Sequence, residues 1–339
     1  MQVRNTCTEW DVQAKSLDLV TRTQDHIFEQ GDREAAGIPC SIILPGISYG
    51  RLTMTNEADE HILEAIGRCR IIIRNGKVVE VGEARIKDCP LTKKFAYAIP
   101  DLSRESVKAN IEYRINTWGM CTPQREVLGS EEFVGFGASE ILSFGLHAGL
   151  IDAVVLACDG AGTVIVNKPS LVQGIGGRMS GLVKTTPYPE VIQRIEDNGG
   201  IVIDKVHAVL NQTAGVKLAY ERGFKKVAVT VALPDEARRI RDLYPDVIIF
   251  GVHVTGLSRD EAETLVTSSD LVTACASGPI REVAGKKALV QAGISIPIFA
   301  MTRKGKDLIM RKIDLGKEQI LVKTTRLPAL GEQQPDPLV

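Results

Sequence analysis

The chain of 339 residues is 44% hydrophobic and 24% charged, with a formal net charge of -1, which is ordinary composition for a globular protein with ample core. Basic and acidic residues are interspersed and aromatics are only 5%, which excludes a basic nucleic-acid face or a base-stacking platform and gives no polybasic tract for a membrane surface. The opening MQVRNTCTEWDVQAK has no apolar signal core, and no apolar run approaches the ~20 residues that span a bilayer, so a cytoplasmic location is expected. The seven cysteines are dispersed with no C-x-x-C pair, so they form neither a disulfide framework nor a zinc ribbon.

In chain order, residues 1–58 read as an N-terminal arm, with helical character over Val12–Glu29 and a turn-rich GIPCSIILPGISYG. With the hairpin that follows, the arm is expected to serve a homo-oligomer contact. Residues 59–102 read as a hairpin unit: a helix over Asp59–Gly67, then two β-branched runs about Asn75-Gly76. That pair tolerates positive φ at both turn positions and predicts a type I′ turn.

Residues 103–325 alternate helix and strand. Predicted helices cover Ala138–Ala148, Glu190–Asp197, Thr213–Glu221, Asp235–Leu243, Asp260–Thr267, Arg281–Gln291 and Lys304–Ile313. The intervening strands are Ala153–Ala157, Ile201–Ile203, Lys226–Val231, Val247–Val252, Leu271–Ala274, Ile296–Phe299 and Gln319–Lys323. Short, continuously apolar strands alternating with helices predict an α/β fold with a layered, largely parallel sheet and helices on both faces. Residues 326–339 are proline-rich and read as a disordered tail.

Ligands of such sheets collect beyond the carboxyl ends of the strands. Four strands there run into polar residues with small neighbours: Cys158-Asp159-Gly160, His253-Val254-Thr255-Gly256, Cys275-Ala276-Ser277-Gly278 and Met301-Thr302-Arg303-Lys304. A histidine beside a thiol lowers its pKa and makes a nucleophile, so Cys158, Asp159, His253 and Cys275 are candidate catalytic residues. Thr255 and Ser277 are candidate substrate contacts. A lone thiol at a strand end is only packing; it is the repetition that points to a site.

A glycine-rich stretch, Gly174-Ile175-Gly176-Gly177-Arg178-Met179-Ser180-Gly181, is a candidate anion loop in which Gly176, Gly177 and Ser180 supply backbone amides and Arg178 a charge. It is neither a Walker loop nor a dinucleotide fingerprint, and the competing reading is an ordinary surface loop. In NTWGMCTP, Cys121 is expected near the amino end of a following helix, where its pKa would fall; the alternative is a buried thiol beside Trp118. His26, His61, His147 and His207 carry no site signal. These residues leave three readings open: a Cys/His enzyme acting on a small anionic substrate, an iron–sulfur or metallocofactor accessory protein using Cys121, Cys158 and Cys275 as cluster ligands, and a structural partner with all its thiols buried.

The segments HILEAIGRCRIIIRNGKVVEVGEARIKDCPL, NIEYRINTWGMCTP, CDGAGTVIV, VQGIGGRMSGLVKTTP, VAVTVA, VIIFGVHVTG and VTACAS resemble the methanogenesis marker protein 8 family over about residues 59–315. The resemblance implies an archaeal or anaerobe-related protein but carries no assigned catalytic residues. Ser139–Leu156 is also similar to the opening helix and strand of deazaflavin-coenzyme hydrogenase and dehydrogenase beta subunits. Those bind a flavin and carry clustered iron–sulfur cysteines; this sequence lacks such clusters, so what the resemblance implies is a further reading, a flavin-linked redox protein without cluster wiring.

Overall fold

A computed structural model describes residues 59–339 except Phe95, Ser180 and Glu318. The N-terminal arm and the Ser180 contact predicted above lie outside the described residues.

Two sheets organise the chain. The smaller contains β1 (His61–Glu64), β2 (Arg70–Arg74), β3 (Lys77–Val81) and β6 (Gly181–Lys184) in the order β3-β2-β1-β6, all antiparallel. Asn75 (φ 51°) and Gly76 (φ 67°) form the predicted two-residue turn between Arg74 and Lys77. The helix expected over Asp59–Gly67 is instead β1 followed by a single 3-10 turn, Ile66–Arg68. The reason is the period: His61 and Leu63 are fully buried while Ile62 and Glu64 are not, an alternation that only a strand produces.

The larger sheet has eight strands, ordered β11-β12-β10-β9-β8-β4-β5-β7. Its centre is β10 (Leu271–Thr273), β9 (Ile248–Gly251), β8 (Val227–Val231) and β4 (Ala153–Cys158), all parallel, as their apolar runs predict. Its margins are antiparallel: β5 (Gly162–Val166) and β7 (Ile201–Val202) on one side, β12 (Ile298–Ala300) and β11 (Val290–Ala292) on the other. β5 turns straight back from β4 through Asp159-Gly160-Ala161, so the CDGAGT segment is a hairpin and not an open loop. The helix expected to run to Gln291 stops at Lys287, and β11 follows. Residues 319–323 form no strand.

Nine helices complete the described fold: α1 (Arg104–Trp118), α2 (Ala138–His147), α3 (Pro169–Ile175), α4 (Pro189–Asp197), α5 (Gln212–Glu221), α6 (Pro234–Leu243), α7 (Arg259–Ser268), α8 (Gly278–Lys287) and α9 (Arg303–Leu315). Pro189 and Pro234 open α4 and α6 within one residue of the expected starts, and Gly149 and Gly223 adopt positive φ just past two expected helix ends, whereas α1 and α3 are additional to the expected helices and α8 begins three residues before its expected start. The large sheet is buried on both faces. Val154, Leu156 and Phe250 pack into one apolar cluster, and Val155, Val229 and Ile249 into the other. A third cluster joins β1 and β2 to α1 and includes Ala276, which lies beyond the carboxyl end of β10. The small sheet therefore stands against the carboxyl edge of the large one. Residues 327–339, expected to be disordered, are hydrogen-bonded to the body of the protein.

Candidate functional site

Two polar assemblies occupy the carboxyl edge. The first is interior. Asp159, in the β4–β5 turn, accepts Nε–H of Arg125 at 2.8 Å and the Cys121 amide at 2.6 Å, and the side chains of both Arg125 and Asp159 are fully buried. Arg125 also donates to the carbonyls of Glu126 and Ile175. Beside this pair, the His61 ring sits between Thr185 (Nδ1 to Oγ1, 2.7 Å) and Tyr188 (Nε2 to OH, 3.0 Å), and the Tyr188 hydroxyl donates to Asp59. Thr185 in turn accepts the Gly160 amide at 2.7 Å.

Cys121 and Cys158 belong to this assembly, and both are fully buried. Burial, reinforced by Asp159, pushes both thiols well above their ordinary pKa. A thiol so placed is protonated and out of reach, which argues against Cys158 as the nucleophile. Cys121 follows the carboxyl end of α1 and precedes no helix, since the chain is irregular until Ala138; the helix-dipole argument for an acidic thiol fails there.

The second assembly is open to solvent. β9 and β10 are paired, with Val272 opposite Gly251, and His253 and Cys275 each lie two residues past the end of their strand. His253 is exposed and Cys275 half-buried. The ring of His253 abuts Gly181 of β6, and its electrostatic neighbours are Glu64 and Arg68. Arg68 pairs with Glu64 at 3.1 Å and donates Nη1–H to the Thr255 carbonyl at 2.9 Å. Arg85 and Arg68 both reach Gly256. Cys275 Sγ lies 3.1 Å from Thr273 Oγ1, and Arg281 holds its carbonyl at 2.7 Å.

The backbone here is strained. Arg68 (φ 59°), His253 (φ 55°) and Cys275 (φ 37°) all take the left-handed conformation that side chains disfavour. Such residues gather at sites where geometry matters more than stability.

Protein surrounds the His253 ring although solvent reaches it. Desolvation lowers its pKa, Glu64 opposes that and Arg68 adds to it, so the imidazole is neutral near pH 7. Desolvation also lowers His61, against Asp159, Asp59 and Glu60. Both histidines take a proton more readily when unfolded, so stability is complete above the unfolded value of 6.5 and falls as pH drops through it. Urea midpoints measured from pH 7.5 to 5 should decline, and His61→Gln should flatten the decline.

The remaining predicted residues fall elsewhere. Met301-Thr302-Arg303-Lys304 follows β12, which is antiparallel to β10, so it lies at the opposite edge, where Thr302 bonds Asp270 just ahead of β10. The amides of Gly176, Gly177 and Met179 donate to Val172, Gln173 and Gly176, continuing the turn of α3, and so they do not converge on an anion. Arg178 lies 4.9 Å over the Trp118 ring and pairs with Glu126 at 3.4 Å. Ser277 is buried and caps α8 by accepting the Ile280 amide. The proposed cluster ligands do not assemble. Cys121 and Cys158 share one neighbourhood, Cys275 lies with Cys89 and Arg281, and among the described residues no group of three or more His, Cys, Asp or Glu is placed to hold a metal.

Sequence reasoning missed Arg125, His61, Thr185 and Tyr188. The contacts that join them, Arg125 to Asp159 and His61 to Thr185 and Tyr188, span 34, 124 and 127 residues, so no local spacing announces them.

A family model described as "uncharacterized protein conserved in archaea (DUF2099)" matches residues 61–314. The chain is 44% identical over 285 residues to "Uncharacterized protein MJ0054" of Methanocaldococcus jannaschii, which spans 83% of this chain and 100% of that relative. Apart from Asp59, both polar assemblies fall within the residues matched by the family model.

Proposed function

The chain belongs to this archaeal family, and from that premise we propose that it is an enzyme acting on a small anionic substrate at the crevice where β9 and β10 end. The observation that carries the reading is that the adjacent parallel strands β9 and β10 run out into His253 and Cys275, with Arg68 tied to the Thr255 carbonyl beside His253, and that all three residues hold a strained backbone conformation.

The chemistry that fits is proton transfer. A neutral imidazole is a competent base near pH 7. Burial keeps the Cys275 thiol above its ordinary pKa, against Thr273 and Arg281, so it serves as a proton donor and not as a thiolate nucleophile. Arg68 and Arg85 flank Gly256 and supply the charge that attracts an anion, and the Thr255 carbonyl, fixed by Arg68, is an acceptor on the same rim. Asp159 and Cys158 serve the fold in this account, holding the β4–β5 turn through Arg125 and the Cys121 amide. The resemblance to the methanogenesis marker protein 8 family supports a place in anaerobic metabolism.

A pool of small carboxylates and phosphorylated metabolites, screened by thermal shift, tests the reading. A charge-assisted hydrogen bond is worth about 1.5–3 kcal/mol, so Arg68→Met or Arg85→Met should weaken any ligand found by about ten- to a hundredfold. His253→Gln should leave binding within a few-fold and abolish turnover. A ligand indifferent to both arginines would contradict the assignment.

A further inference from the structure

Residues 319–326 are exposed, and the chain then returns to the body of the protein as a strap over residues 327–339. The Val339 amide donates to the Ala276 carbonyl at 2.8 Å, and the Gly256 amide donates to the main-chain oxygen of Val339 at 3.1 Å. Asp336 is tied to Lys87 and Asp88, and Ala329 exchanges two hydrogen bonds with the Gln291 side chain. Ala276 and Gly256 adjoin Cys275 and Thr255, so the strap crosses the rim of the crevice.

Beneath it lies an electrostatically incomplete cation. Arg281, on the first turn of α8, is 3% exposed. Its Nη2 donates to the carbonyls of Cys275 (2.7 Å) and Ser295 (2.9 Å), and Nη1 donates to the Gln334 Oε1 of the strap. Nε–H has no partner, and no carboxylate among the described residues pairs with the guanidinium. Every acceptor it has is neutral. The adjacent thiols do not compensate: burial raises Cys275, and it raises Cys89 to about 11, so both stay uncharged. A buried charge is normally paired, and the amino end of a helix adds further positive potential at this point.

We propose that Arg281 is the anchor of an oxyanion subsite, and that the Gln334 side-chain oxygen holds the place of a substrate carboxylate or phosphoryl oxygen until the strap is displaced. The proposal rests on reading the crevice as a substrate site, and it names the feature that site recognises. An amide oxygen is the weaker partner for a guanidinium, but it is tethered and so present at high effective concentration. A diffusing oxyanion therefore competes with the strap, and its binding uncovers the Cys275 loop.

The full chain, Gln334→Ala and Gln334→Glu, compared by the rate at which iodoacetamide alkylates Cys275, test this. Peptide mass spectrometry follows the site, and unlabelled Cys121 and Cys158 certify that each chain stays folded. Gln334→Ala should raise the Cys275 rate about tenfold, as expected for one lost charge-assisted bond. Inorganic phosphate or acetate should accelerate labelling of the unaltered chain, and whichever acts at lower concentration identifies phosphoryl or carboxylate as the preferred group. Gln334→Glu, which gives Arg281 a tethered carboxylate, should slow labelling, raise the unfolding temperature and abolish the response to either anion. Equal rates in all three chains, or an undiminished anion response in Gln334→Glu, would overturn the proposal. These readouts do not involve His253. A responsive strap with no His253-dependent turnover would leave the subsite standing and remove the catalytic reading.

Discussion

Replacing Arg125 with methionine is expected to cost about 3–5 kcal/mol of stability, the usual consequence of removing one partner from a buried ion pair. Asp159 would remain fully buried with the Cys121 amide as its hydrogen-bond donor and no counter-charge. The carbonyls of Glu126 and Ile175 would lose a donor as well. The loss should appear as a large shift in denaturant midpoint with an unchanged slope. Adding Asp159→Asn should recover more than half of it, because asparagine still accepts the Cys121 amide and brings no charge. Failure of the second substitution to recover stability would mean that the pair matters through packing and not through charge.

Gly162→Ala is expected to cost about 2–5 kcal/mol, from the left-handed backbone penalty together with local overpacking. Gly162 opens β5 at φ 73°, directly opposite Cys158. A Cβ there would overlap the Ala208 carbonyl and come within 2.8 Å of the Val209 oxygen. Neither neighbour yields easily: Val209 O accepts the Thr163 amide, and Thr163 Oγ1 is held by Gln212 and Asn211. Gly149→Ala is the fitting control, since its φ is also positive (67°) but nothing lies within 4 Å of the added Cβ. A similar cost at both positions would assign the effect to backbone conformation alone.

Much of the fold was legible because local chemistry dictates it. Asn75-Gly76 can hardly be anything but a tight turn between β-branched runs, and the helices that open at Pro189 and Pro234 or close ahead of Gly149 and Gly223 announce those limits. β1 was misread because Ile62, Leu63 and Ile66 fit a helical stripe as well as they fit a strand, and only the neighbouring β2 and β6 decide between them. The direction of β12 was hidden for the same reason: an apolar run has no polarity, and its antiparallel pairing removes Thr302 and Arg303 from the site edge.

Parallel direction did bring Cys158, His253 and Cys275 to one edge of the sheet, yet their surroundings differ. The Cys158 thiol bonds the Asp159 carbonyl inside the core, while His253 faces Glu64 and Arg68 at the surface. What separates an inert thiol from an accessible site is burial, and burial follows from the β4–β5 hairpin and the small sheet packed against it. Neither is written in the residues near Cys158. The cation beneath the strap was equally hidden, because Gln334 and Arg281 stand 53 residues apart.

The central claim is that chemistry takes place at the His253 crevice and not at the interior assembly around Asp159. Imidazole carbon–proton NMR of the five histidines, assigned with His253→Gln and His61→Gln, tests it most directly during titration with the small carboxylates and phosphates of the screen. The account predicts that a binding anion shifts the His253 resonances in a saturable way while those of His61, locked between Thr185 and Tyr188, stay in place. Saturable shifts at His61 with His253 silent would contradict it.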